Sequence, residues 1–147
     1  DAYIVKKVSR YDIHGKRLFE TNEKYYFEDH GIRNSLAGEN RSFDIEKVIE
    51  NIVCQHLIHL GYEVTVGQLQ SGEIDFVCSR GEEHAYVQVA YLITQEETYN
   101  REFGRLQNIK DNHPKYVISM NPLLAHANDN GIHHIHLREF LTNGLPN

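Results

Sequence analysis

Asp75 and Gln88 are polar side chains standing inside the most apolar part of the sequence, residues 73–91, EIDFVCSRGEEHAYVQVAY. The residues on both sides of Gly81-Glu82 are β-rich, and a glycine at the first central position is what a two-residue type II′ turn needs. Counting outward from that turn opposes Arg80 to Glu83, Cys78 to Ala85 and Asp75 to Gln88, which puts acid and amide opposite each other on one face of a hairpin. Ile74, Phe76, Cys78, Ala85, Val87, Val89 and Tyr91 then line the other face. An acid and an amide so placed must pair or bind something, since an unsatisfied buried polar group costs roughly 1 to 3 kcal/mol. Glu50 is the third candidate. At about 100° per residue it falls on the flank of the apolar stripe Ile45, Val48, Ile49, Ile52, Val53, Leu57 and Leu60, so it looks along the rim of the core. A solvated surface carboxylate is the plainer reading of Glu50. The expectation is that Asp75 and Gln88 project to the face which the Glu50 helix covers.

Other chemistries find less support. Strand alternation places His134 and His136 on one face, with His133 on the other, but no second ligand set with zinc-like spacing accompanies them. No GxxxxGK[ST] or GxGxxG pattern is present, so ATP or dinucleotide binding by the chain itself is not expected, and no serine or cysteine nucleophile motif occurs. The two cysteines, Cys54 and Cys78, form neither metal spacing nor a disulfide framework and read as reduced core residues.

The elements that must position these residues follow from periodicity. Ser42 can cap a helix carrying Glu50, with Asp44 and Glu46 in its first turn and Gly61 stopping it after His56 and His59. Residues 62–69 read as a strand leading into the hairpin, and Tyr99, Phe103, Leu106 and Ile109 mark a second helix at helical spacing. KYVISMN and IHHIHL are two further strands, separated by a polar loop over residues 122–131, and REFL is amphipathic. Helix, three strands, helix and two strands make an αβββαβ core, hence an α/β sandwich. Residues 1–41 form a small β-rich appendage, with a tight turn at His14-Gly15 and a glycine-containing connection before residues 42–147.

Charge divides the same way. Residues 1–41 hold eight of the fifteen Lys and Arg against seven of the twenty-one Asp and Glu, whereas residues 42–147 hold seven against fourteen. The larger part should repel a polyanion, so charge-driven contact with DNA is expected from Lys6, Lys7, Lys16 and Arg17 in the appendage. A hairpin edge guarded by lysines is the competing reading. No apolar run approaches the length of a membrane span, and no segment resembles a signal peptide, so a cytoplasmic protein with no membrane partner is expected.

The layout of a helix Glu, an Asp in a hairpin strand and an (E or Q)-x-K in the next strand resembles the PD-(D/E)XK, or restriction endonuclease-like, fold. More specifically, VIENIVCQHLIHLGYEV, EIDFV, YVQVAY, EFGRLQNIKDNHPKYVISM and GIHHIHLREFL resemble the C-terminal domain of uncharacterised function found on bacterial and archaeal AAA-type ATPases. These blocks cover most of residues 45–141 and stand in the family's order; residues 11–34 resemble the wing-like end of a winged-helix region and linker that precede that domain. The resemblance implies Mg²⁺ as cofactor, the ATPase module of a parent chain as partner, and DNA as a candidate ligand. It assigns Glu50, Asp75 and Gln88 to the catalytic positions, Glu50 and Asp75 to the metal, and puts Ala90 where the lysine would stand. Gln88 replaces an acid and can donate a hydrogen bond to Asp75, and Ala90 removes the cation, so the expected function is a catalytically degenerate nuclease-like domain with a regulatory or nucleic-acid-contacting role. Arg80, Arg101, Arg105 and Lys110 are the candidates to replace that cation. An active Mg²⁺-dependent nuclease and a protein-interaction or oligomerisation domain are the alternatives.

Overall fold

The computed structural model describes residues 5–19, 23–27, 41–122, 128–129 and 131–146. In chain order the elements are β1 (Val5–Val8), β2 (Arg10–Asp12), β3 (Arg17–Leu18), β4 (Lys24–Phe27), α1 (Arg41–His59), β5 (Glu63–Leu69), β6 (Gly72–Arg80) and β7 (Glu83–Val89). They continue with α2 (Glu96–Gln107), β8 (Lys115–Ser119), β9 (Asn128–Asp129), β10 (Ile132–His136) and α3 (Leu137–Asn143).

The hairpin forms in the expected register, with Arg80 opposite Glu83, Cys78 opposite Ala85 and Phe76 opposite Val87. Gly81 has φ 60°, and among the described residues Lys16 alone combines a side chain with positive φ, so Glu82 does not share it. That combination fits a type II′ turn rather than I′. β7 lies parallel to β8, and β8 parallel to β10, as crossover connections through α2 and a loop require. The main sheet runs β3-β2-β5-β6-β7-β8-β10-β9.

Helices cover both faces, giving the expected α/β layering. On one face α1 presents Ile49, Val53, Cys54 and Leu57, and α3 adds Leu137 and Phe140, against Phe76, Cys78, Val87, Val89 and Ile118. On the other, α2 packs Phe103 and Leu106 against Ile74, Tyr86, Ala90 and Val117. Gly61, at φ 94°, turns the chain out of α1 while the Tyr62 N–H closes back onto the Leu57 carbonyl. Within the N-terminal stretch, β2 hydrogen-bonds in parallel to β5, so residues 10–18 extend the main sheet. Among the described residues β1 and β4 pair with each other, as a ribbon outside the main sheet whose Val8 and Tyr26 sit in the α1-side core. The expected connection before α1 lies outside the described residues up to position 40.

β6 contains one residue more than β5 along their shared ladder. Thr65 stands opposite Val77, but Gly67 stands opposite Ile74. The extra residue reverses the alternation, which is why Ile74 joins the α2-side core while Phe76 joins the α1-side core. Gly67 sits at the crowded point. A β-carbon there would come within 2.8 Å of Ile13 Cδ1 and 2.9 Å of both Ile74 Cβ and Val77 Cγ2. Gly67→Ala should therefore destabilise the domain by about 1–3 kcal/mol through overpacking. Urea denaturation of the variant beside wild type measures this.

Candidate functional site

The bulge aims Asp75 toward α1. Where β6 and β7 would exchange the next backbone pair, side chains intervene: the Asp75 N–H donates to Gln88 Oε1 at 2.7 Å, and the Val89 N–H donates to Asp75 Oδ2 at 2.8 Å. Asp75 and Gln88 do meet, but not as expected. Gln88 uses its carbonyl oxygen on the Asp75 backbone rather than donating to the Asp75 carboxylate. Nor do the two share a face. Val87 and Val89 lie in the α1-side core and Tyr86 and Ala90 in the α2-side core, so alternation puts Gln88 on the α2 side while the extra residue of β6 keeps Asp75 beside Glu50. The face covered by α1 is the one lined by Phe76, Cys78, Val87 and Val89, the reverse of the sequence expectation. Ala90, 1% exposed among Ile74, Phe103 and Leu106, occupies a position where a lysine would enter the α2-side core.

A cation does reach the carboxylates, from an element that sequence reasoning did not connect to them. Lys24 of β4 places Nζ 2.8 Å from Glu50 Oε1 and 2.8 Å from Glu73 Oε1. Two residues along the same strand, the Tyr26 hydroxyl donates to Glu50 Oε1 at 2.9 Å, and its ring packs 5.5 Å from that of Phe76. Arg10 of β2 completes the set through Glu73 Oε2 at 2.6 Å. Of the cations proposed from sequence, Arg80 instead bonds the Leu60 carbonyl and Glu83 and covers the Tyr62 ring at the far end of the hairpin. Arg101 pairs with Glu102, Arg105 reaches the Glu73 carbonyl, and Lys110 bonds the Gln107 carbonyl.

Electrostatics mark this corner as strained. Burial, and then the neighbouring Glu50 charge, push the Asp75 carboxyl well above its ordinary value despite the Val89 N–H that favours its anion. Glu102 of α2 and Glu46 of α1 are raised as well, each by burial first. Burial works against the charged form of Glu73 too, but Lys24 and Arg10 outweigh it and hold the group below its usual range. Burial likewise opposes the Lys24 ammonium, and Glu50 and Glu73 overcome that opposition and raise its pKa. The Tyr26 phenol is raised by burial and by Glu50, so it stays a donor. Glu46 was legible as the residue one turn before Glu50, and Glu73 as two positions before Asp75; Lys24, Arg10 and Glu102 arrive through tertiary packing that no local spacing encodes.

The remaining sequence candidates lie elsewhere. Lys7 is exposed and pairs with Glu23 at 2.8 Å, and Arg17 approaches Asp12 at 4.0 Å. Lys16 and Arg17 stand at the β2–β3 turn, Lys7 on the separate ribbon, and the Lys6 side chain lies outside the described part. The histidines divide: His134 is buried on the Ser119 hydroxyl, His136 Nδ1 caps α3 by accepting the Arg138 N–H, and exposed His133 lies beside the Tyr116 ring. Cys54 and Cys78 are buried and not joined in a disulfide.

Mg²⁺, the cofactor implied by the fold resemblance, does not fit these residues as arranged. It demands near-octahedral oxygen ligands at about 2.0–2.1 Å. Glu50 Oε1 already accepts two hydrogen bonds, Asp75 Oδ2 accepts a backbone N–H, and the Gln88 carbonyl is turned to the Asp75 backbone. Among the described residues no group of three or more His, Cys, Asp or Glu could hold a metal ion. No helix among them is long and apolar enough to cross a membrane.

No family model matches the chain. It is 39% identical over 119 residues to an uncharacterised protein of Haemophilus influenzae, a match covering 81% of this chain and 29% of that protein. The chain thus spans less than a third of the length of the curated relative it matches.

A carboxyl whose pKa is higher in the fold than in the unfolded chain holds its proton more tightly in the fold. Stability is therefore lost as pH rises from the unfolded aspartate range through the raised value of Asp75. Asp75→Asn keeps an oxygen for the Val89 N–H and removes the charge. It should raise stability at neutral pH by about 0.5–2 kcal/mol, with the gain fading as pH falls toward the unfolded aspartate range. Thermal melts of both proteins from acid to neutral pH measure it.

Proposed function

We propose that the chain is a PD-(D/E)XK-like domain that has lost catalysis and acts as a regulatory or nucleic-acid-contacting part of a larger ATPase-bearing protein. The observation that carries this reading is the meeting of a helix carboxylate, Glu50, with a raised-pKa carboxyl, Asp75, at the bulged strand of a hairpin. Perturbed carboxyls gathered from separate elements are characteristic of functional sites. A nuclease of this class needs acidic oxygens to hold the metal and a fixed cation beside the attacking water. Gln88 is neutral and Ala90 is buried in the opposite core, so both requirements fail at the positions the family would use. Losing one such electrostatic stabiliser commonly costs about 100- to 1000-fold in rate. The ATPase association is supported by the sequence blocks over residues 45–141, and the Haemophilus influenzae relative is long enough to carry a further module.

Any DNA contact falls to the N-terminal strands. Residues 42–147 carry twice as many acids as bases, seven Lys and Arg against fourteen Asp and Glu. Arg10 and Lys24 are turned inward onto carboxylates, so the contact is assigned to Lys6, Lys7, Lys16 and Arg17, the cations that the sequence places toward the two N-terminal hairpin edges.

The test combines fluorescence anisotropy on labelled DNA at several salt concentrations with a gel assay for cleavage in Mg²⁺. The expected outcome is no Mg²⁺-dependent cleavage above background, and weak, salt-sensitive binding that disappears when the four cations are neutralised together. Cleavage abolished by Asp75→Ala would make the chain an active nuclease. Binding that survives the fourfold neutralisation would move the contact to the acidic core.

A further inference from the structure

Residues 108–114, between α2 and β8, are fixed from within. The Asp111 carboxylate accepts the Tyr86 hydroxyl at 2.5 Å, the His113 N–H at 3.0 Å and Lys115 Nζ at 3.1 Å, and the same ammonium donates to the Asp111 and His113 carbonyls. Burial opposes the Asp111 anion, but the Tyr86 hydroxyl, the His113 N–H and Lys115 outweigh it and hold its carboxyl below the usual range. Asp111 and Lys115 therefore cancel inside the turn. Together with the end of α2 and the start of β10, the turn borders a cleft of about 670 Å³, floored by Ile109 and Ile132 and rimmed by Lys110, Asn112, His113 and His133. That volume suits a small molecule. The four rim side chains are exposed, and Lys110 gives one of its three N–H groups to the Gln107 carbonyl at 3.2 Å. Neighbouring rings orient both imidazoles: His113 stands 4.9 Å from His84 and 6.3 Å from Tyr86, and His133 stands 5.8 Å from Tyr116. Asp111 is the only acid among the described lining residues, so the charge of Lys110 stands uncancelled in a part of the chain where seven Lys and Arg face fourteen Asp and Glu. The cleft is a local reversal of that acidic field.

We propose that this cleft binds a small organic phosphate monoester through Lys110, Asn112, His113 and His133. Four side chains with N–H donors suit a group with three acceptor oxygens and about 1.5–2 negative charges at pH 7 better than they suit a carboxylate, which offers two oxygens and one charge. The cleft also leaves room for the body that carries the phosphate. Side chains supply the donors, so no glycine-rich loop is needed. The site goes beyond the nuclease-like reading and lies on other elements than the N-terminal cations assigned to DNA. The outcome of the DNA assay therefore leaves it to be decided separately.

The probe is AMP, titrated into the full chain and followed by NMR of the backbone amides and histidine rings, with inorganic phosphate and adenosine as separate arms. AMP should give saturable shifts centred on Lys110, Asn112, His113 and His133, inorganic phosphate should compete for them, and adenosine should leave them unmoved. Lys110→Met should weaken AMP at least about fivefold, the worth of one unit charge at contact distance in water. His113→Ala/His133→Ala should weaken it as well. These side chains are exposed, so their replacement leaves the core intact. Lys47→Met removes an equally exposed cation from α1 and should leave the affinity unchanged. The proposal is overturned by the absence of saturable shifts at millimolar AMP, by shifts centred elsewhere, or by adenosine binding as well as AMP. It is overturned too if Lys47→Met weakens AMP as much as Lys110→Met does, since the attraction would then belong to the charge of the whole chain.

Discussion

The extra residue in β6 is the constraint on which the rest of the site depends. A strand has a strict two-residue period, so one inserted residue exchanges the faces on either side of it. Ile74 therefore points to α2 and Phe76 to α1, and each core receives a large apolar side chain from the same strand. The insertion also pulls Asp75 out of the regular ladder. Its N–H and the Val89 N–H are then satisfied by side-chain oxygens of Gln88 and Asp75, which makes this polar pair a repair of the sheet as well as a candidate site. Gly67 on the neighbouring strand accommodates the crowding by having no side chain.

Around that local irregularity the charges arrange themselves by elimination. Carboxylates from α1, β6 and α2 converge where burial opposes every one of them: Glu46, Asp75 and Glu102 end above their ordinary pKa values, whereas Glu73 falls below because two cations reach it. The cations that do so come from the N-terminal strands, which therefore contribute electrostatics as well as apolar area. Arg10 enters from the strand that extends the sheet, Lys24 from the ribbon that stands apart.

Most of the architecture was legible because it depends on local signals. The glycine turn set the register of β6 and β7 up to Phe76, and helical stripes placed α1 within a residue or two and the start of α2, which ends at Gln107, before the expected stripe residue Ile109. The register count failed to give the faces of Asp75 and Gln88, because a bulge is set by the partner strand β5, and nothing within residues 73–91 reports it. The same limit hid Lys24. On its own strand it reads as one more lysine at a solvated edge; only the packing of Tyr26 under α1 turns its neighbour toward Glu50. The histidine run shows the converse, with alternation predicting a shared face for His134 and His136 while one became a buried partner of Ser119 and the other a helix cap.

The cost of this corner is itself informative. Several carboxyls held above their ordinary pKa beside one another weaken the fold, and a well-packed apolar residue in such a place is often neutral or stabilising. Positions that depart from what folding alone favours are expected at functional or strained sites. Here Cys54, Phe76 and Val87 show that the adjacent core is filled with apolar side chains wherever the chain has no other use for the space. Glu50 and Asp75 are held by an ammonium, a phenol and a backbone N–H, the partners that buried carboxyls require in any role. The charge of the corner is thus set by β2 and β4 as much as by α1 and β6, since Arg10 and Lys24 supply the cations that Glu50 and Glu73 pair with.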